Sequence, residues 1–118
     1  TPDQWGKIAV KLYKKYMADR IVAEVNNGGL MVEQVLRHVD ADIPYKAVHA
    51  TKGKRTRAEP ISALYEQLKV HHIGRLTELE DELCNWKPTD NVSPDRLDAL
   101  VWACTELIGG GSPQIRWI

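Results

Sequence analysis

Apolar positions along the chain switch between two rhythms. Near the start they recur at helical spacing, with Trp5, Ile8, Ala9, Leu12, Tyr13 and Tyr16 on one side and Lys7, Lys11, Lys14 and Lys15 largely on the other. Thr1-Pro2-Asp3 supplies the start of this helix, with Thr1 as cap and Pro2 in the first turn. From Ile21 the rhythm shortens to a β-branched run, Ile21, Val22, Ala23 and Val25, which predicts a strand covered on both faces. Gly28-Gly29 closes it with residues that accept unusual backbone angles. A helix over about 29–38 follows, with Leu30, Val32, Val35, Leu36 and Val39 as its stripe. Tyr45 to Ala50 alternates as a second strand, parallel to the first because a helix joins the two by a crossover. Helices are predicted from Arg57 to Leu68 and from Leu76 to Trp86, on either side of a short strand candidate, Lys69-Val-His-His-Ile73. Pro60 is compatible with the first of these helices only in its opening turn. The last helix opens at Ser93-Pro94-Asp95, with Ser93 as cap, and turns Leu97, Leu100, Val101 and Cys104 to the core.

Composition narrows this picture without changing it. A chain of 118 residues, 43% of them hydrophobic, can form one modest α/β domain with a real core, expected over 1–108, with a flexible Gly/Ser-containing tail over 109–118. The 16 basic residues equal the 16 acidic ones, so nucleic-acid binding would have to come from a local patch. Cys84 and Cys104 lie in helical apolar patterns without metal-ligand spacing, and are expected to be reduced core residues of a cytosolic protein. No apolar run approaches membrane-spanning length and no signal-peptide pattern is present. The chain begins without methionine, as a piece of something longer would.

Two places concentrate chemistry. In Arg20-Ile-Val-Ala-Glu-Val-Asn-Asn-Gly-Gly29 a carboxylate, Glu24, stands at the C-terminal edge of a predicted parallel strand. Ligands of open sheets bind at that edge, so Glu24 is either a cation ligand or a side chain turned to solvent. Asp95 and Asp98, three residues apart, share a face near the positive end of the last helix. Both are open to reading as ordinary helix-start acids or as ligands. Between them in sequence, Thr51-Lys-Gly-Lys-Arg-Thr-Arg57 places Lys52, Lys54, Arg55 and Arg57 just past the second strand, as a solvated loop or a phosphate-contacting one. It lacks the first glycine of a Walker motif and its spacing. His71 and His72 alternate faces in a strand and do not suit a shared metal. Glu78, Glu80, Asp81 and Glu82 are expected to be mostly a solvated helix face, with Glu80 the one left open.

Taken together, Arg20-Ile-Val-Ala-Glu-Val-Asn-Asn-Gly-Gly29, Lys54-Arg-Thr-Arg-Ala-Glu-Pro60, Leu64-Tyr-Glu-Gln67, Val70-His-His-Ile-Gly74, Leu79-Glu-Asp-Glu-Leu83 and Ser93-Pro-Asp-Arg-Leu-Asp-Ala-Leu-Val-Trp-Ala103 resemble consecutive blocks of the C-terminal nuclease domain of tailed-phage or prophage terminase large subunits. The resemblance implies a ribonuclease H-like mixed sheet flanked by helices, and metal-dependent cleavage of double-stranded DNA during genome packaging in the cytoplasm of a bacterial host. It implies that Glu24, Asp95 and Asp98 are catalytic carboxylates holding two Mg²⁺ or Mn²⁺ ions about 4 Å apart. It further implies a terminase small subunit and a portal as partners of the full protein. Family domains open with strands carrying another catalytic aspartate, which this chain lacks, so the fragment is expected to be weak or inactive alone. Two other classes remain open: a DNA-binding or packaging-assembly module without metal chemistry, and an unrelated small α/β enzyme using its carboxylates as general acid and base.

Overall fold

The computed structural model describes residues 1–26, 29–50, 54–87, 89–90 and 94–109, with the backbone alone at 54, 55 and 109. The element order is α1 (Pro2–Lys15), β1 (Ile21–Glu24), α2 (Leu30–Val39), β2 (Tyr45–Val48), α3 (Lys54–Glu66), α4 (Thr77–Asn85) and α5 (Asp95–Gly109). These fall into two compact units, Thr1–Ala50 and Thr51–Ile118.

In the first unit, α1 opens with a capping box: the Gln4 backbone N–H donates to Thr1 Oγ1 at 3.3 Å while the Thr1 nitrogen donates to Gln4 Oε1 at 3.0 Å. The strands pair in parallel, in the register Ile21↔Tyr45 to Glu24↔Val48, as the crossover through α2 requires. This two-stranded sheet is the extent of the sheet among the described residues, and the expected mixed sheet is not seen there. Val10, Leu36 and Ile43 form the buried centre, with Ala9, Tyr13, Ile21, Val32, Val39 and Tyr45 around it.

The face that α1 buries differs from the one its periodicity suggests. Gly6 and Val10 are buried, whereas Trp5, Ile8, Leu12 and Tyr16 are exposed. Gly6 is the reason: a Cβ there would lie 2.7 Å from Val35 Cγ1, so only glycine lets α2 approach this side of α1. Gly29 likewise serves space rather than an unusual backbone angle. Its φ of −62° is ordinary, but a Cβ would run into the Val25 side chain. Ile21, Val22 and Ala23 are only half-buried, so β1 is not covered on both faces as expected; Val25, just beyond the strand, is buried.

The second unit is helical. Ile61, Leu97, Val101 and Cys104 are its buried core, flanked by Ala58, Leu64, Tyr65, Val70, Leu83, Trp86 and Leu100. The helix α3 starts three residues earlier than expected, so Lys54, Arg55 and Arg57 belong to its first turns rather than to a loop, and Pro60 lies inside the helix. No strand forms over 69–73. Leu68 turns the chain at φ 58°, with the Lys69 N–H bonded to the Leu64 carbonyl at 2.9 Å and the Leu68 N–H to Tyr65 at 3.0 Å. His71 Nε2 then bonds the Leu68 carbonyl at 2.8 Å. Local bonds of this kind replace a strand ladder, and Ile73 is left 97% exposed. Cys104 is buried and Cys84, contrary to expectation, is exposed; both are free thiols. Burial pushes the Cys104 thiol above its ordinary range. Among the described residues, no helix is long and apolar enough to cross a membrane.

Candidate active site

Glu24 is the last residue of β1, exposed, and paired in register with Val48. The strand continues for one more bond, from the Val25 N–H to the Val48 carbonyl at 2.9 Å, and Val25 then anchors the chain in the interior. A carboxylate is thereby held at the C-terminal end of a parallel pair by an apolar residue directly after it.

Asp95 and Asp98 both stand in the first turn of α5. The first helical bond runs from the Asp98 N–H to the Pro94 carbonyl at 3.1 Å; Ser93, expected to cap, lies outside the described residues. Leu97 and Val101 are buried, so the aspartates project from the other side of the helix, Asp95 exposed and Asp98 half-buried. Their position favours negative charge, because the unpaired N–H groups of a helix start act as a partial positive charge.

A carboxylate from α4 fixes this turn. Glu82 Oε1 accepts the Arg96 backbone N–H at 3.1 Å and Oε2 accepts the Arg96 guanidinium at 3.1 Å, with Glu78 3.6 Å away on the same guanidinium. The hydrogen bond to Glu82, and then the charge of Glu78, hold Arg96 above the ordinary guanidinium range. The expectation of a solvated acidic face on α4 therefore fails at Glu82. Glu80 is engaged as well: its Oε2 accepts the Leu76 N–H at 2.9 Å and lies 3.1 Å from His72 Nδ1. The other nitrogen of His72 is 2.8 Å from the Tyr65 hydroxyl. The two nitrogens of one ring thus join the ends of α3 and α4.

Of the four expected DNA-binding cations, Lys52 lies outside the described residues and Lys54 and Arg55 are described by backbone alone. Arg57 is half-buried, with its guanidinium carbon 4.8 Å from the centroid of the Trp102 ring of α5. Its Nε is buried without an acceptor among the described residues. Trp102 escaped the sequence reading, although its spacing from Asp95 and Asp98 puts it on their face of α5.

No group of three or more His, Cys, Asp or Glu side chains suited to a metal ion gathers among the described residues. The donor chemistry of Glu24, Asp95 and Asp98 nonetheless suits hard cations, since all three offer carboxylate oxygens. Glu24 belongs to the first unit and the aspartates to the second.

No match is found among curated proteins or among solved structures. The profile of the terminase RNaseH-like domain family matches residues 1–107, nearly the whole chain. By that match the chain belongs to the terminase RNaseH-like domain family, a nuclease-type domain of DNA packaging.

Proposed function

We propose that the chain acts as the metal-dependent endonuclease domain of a DNA-packaging terminase, hydrolysing phosphodiester bonds of double-stranded DNA. The family match over residues 1–107 is the observation that carries this reading. Glu24, Asp95 and Asp98 are the carboxylates assigned to the metal site, for Mg²⁺ or Mn²⁺. When bound, a pair of such ions supplies an activated water and neutralises charge on the phosphate. The chain's own residues hold the carboxylates in place. Val25 fixes the strand end that carries Glu24, and Glu82, through the Arg96 N–H, fixes the turn that carries Asp95 and Asp98. Lys52, Lys54, Arg55 and Arg57 are assigned to the phosphates of duplex DNA, a local contact in a chain of zero formal net charge. The terminase small subunit and the portal, in the cytoplasm of a bacterial host, are the partners this role requires.

Nicking of supercoiled plasmid in the presence of Mn²⁺ tests the reading. The expected result is nicking that is at most weak in this chain alone and that disappears in both Glu24→Ala and Asp95→Ala. Nicking that survives either substitution overturns the assigned site. Duplex binding that ignores divalent ions and both substitutions, with no nicking, identifies a DNA-binding or packaging-assembly module instead.

A further inference from the structure

The helix α5 has two faces of different chemistry. Leu97, Val101 and Cys104 are buried in the core of the second unit. Asp95, Asp98 and Trp102, separated by three and then four residues, share the opposite face. The Arg57 guanidinium lies over the Trp102 ring at 4.8 Å. Other arginines are engaged differently: Arg37 donates to the Ala41 and Ile43 carbonyls at 3.1 and 3.0 Å, and Arg96 is held by Glu82 and Glu78. A guanidinium held by an aromatic ring keeps its charge and its in-plane donors, because the ring engages only its face. Stacking also restricts the side chain beforehand, so less freedom is lost when an anion binds.

We infer that Arg57 and Trp102 form a preorganised phosphate-binding platform for the DNA backbone, on the α5 face that carries Asp95 and Asp98, with Trp102 as the residue that positions the arginine. This rests on the DNA-cleaving reading above. Asp98 and Trp102 are one helical turn apart, about 6 Å along the axis. A phosphate bonded to Arg57 therefore belongs to the same short stretch of backbone as one presented to the aspartates. The cation also offsets the repulsion that two carboxylates exert on an incoming phosphate.

The test is the binding of a fluorescent DNA duplex to the whole chain in EDTA, followed by anisotropy over a series of salt concentrations, with thermal melts of each variant. Arg57→Gln is expected to weaken binding about tenfold at low salt and to reduce the slope of log K against log salt by about 0.9, one phosphate contact. Trp102→Leu is expected to weaken it about threefold, with Trp102→Phe recovering part of the loss. In the double variant Arg57→Gln/Trp102→Leu the loss should equal that of Arg57→Gln alone, because the ring acts through the arginine. Should Arg57→Gln fail to fold, Arg57→Lys is expected to keep the salt slope and lose about threefold in affinity, a point charge replacing a stacked fork. An unchanged slope in Arg57→Gln, an unchanged affinity in Arg57→Lys, losses that multiply in the double variant, or no duplex binding by the intact chain would each overturn the inference. EDTA keeps cleavage out of the measurement. Arg57-dependent binding in EDTA by a chain whose nicking survives Glu24→Ala and Asp95→Ala overturns the assigned metal site and leaves the platform standing.

Discussion

Glu82, near the end of α4, caps α5 from outside: its carboxylate takes both the backbone N–H and the guanidinium of Arg96, each at 3.1 Å. The backbone N–H is one of the donors that every helix start leaves without an intrahelical acceptor. The Glu82 side chain is 17% exposed and that of Arg96 58%, so the ion pair is screened at its outer end and the cap is the better shielded half. Glu82→Ala should therefore cost about 1 kcal/mol of stability, as loss of a helix cap does, and Arg96→Ala clearly less, since its backbone N–H survives. Urea denaturation of the two variants checks this. An equal loss in both would assign the effect to the side-chain pair instead.

The Glu80 carboxylate makes stability depend on acid. Its hydrogen bond with His72, and then that from the Leu76 N–H, hold it below its ordinary value near 4.5. A carboxyl with a depressed folded pKa stabilises fully above its unfolded value and loses that contribution as pH falls through the folded one. The melting-temperature gap between the intact chain and Glu80→Gln should be widest above pH 4.5 and close progressively below it. A gap that is flat from neutral pH to well below the ordinary glutamate range would show that the hydrogen bonds do not depend on charge.

Among the described residues, two helices end in the left-handed conformation without glycine. Met17 has φ 50° and Leu68 φ 58°. After α1 the Ala18 N–H bonds the Tyr13 carbonyl and the Met17 N–H that of Lys14, and the same pair of bonds follows α3. This is the helix ending that favours glycine at the turning residue. Leu68 is 75% exposed, so little packing opposes its replacement. Leu68→Gly should raise stability by about 0.5 kcal/mol, the relief of the left-handed strain less the extra freedom glycine has when unfolded. A lowered melting temperature would mean that the Leu68 side chain contributes more than its exposure suggests.

Close approach at Gly6 gives a change of opposite sign. Gly6→Ala should destabilise the first unit by about 1–3 kcal/mol, because the new methyl must displace Val35 from a packed contact. Alanine is otherwise the better helix residue by about 1 kcal/mol, so a neutral or stabilising result would show that α1 and α2 separate at little cost.

Residues 1–50 were largely legible from their pattern because their order is local. The capping box at Thr1 and Gln4, the crossover that makes β1 and β2 parallel, and α2 all depend on neighbours close in sequence. The buried face of α1 was not legible, since the pattern showed the width of its apolar side but not that Gly6 would admit Val35. In residues 54–109 the errors lie where side chains act at a distance. The alternation of Lys69 to Ile73 suggests a strand, but His71 and His72 form bonds with Leu68, Tyr65 and Glu80 that no periodicity encodes. The sequence of the first turns of α3 suggests a loop because basic residues and Gly53 outweigh weak helical spacing there. At the candidate site, the placement of Asp95 and Asp98 in a first turn followed from Pro94 and the apolar run behind them. The stacking of Arg57 on Trp102 joins residues 45 positions apart and required the packing of α3 on α5.

The most direct measurement is a titration of Mn²⁺ into the chain and into its Glu24→Gln, Asp95→Asn and Asp98→Asn variants, followed by electron paramagnetic resonance of the free ion. These substitutions keep size while removing charge, so the folded chain is preserved for comparison. If the three carboxylates share one metal site, each variant should lose about tenfold or more in Mn²⁺ affinity, the scale of a lost charged ligand contact. Mn²⁺ binding by the intact chain that is unchanged in Glu24→Gln would separate β1 from the site and contradict the three-carboxylate assignment.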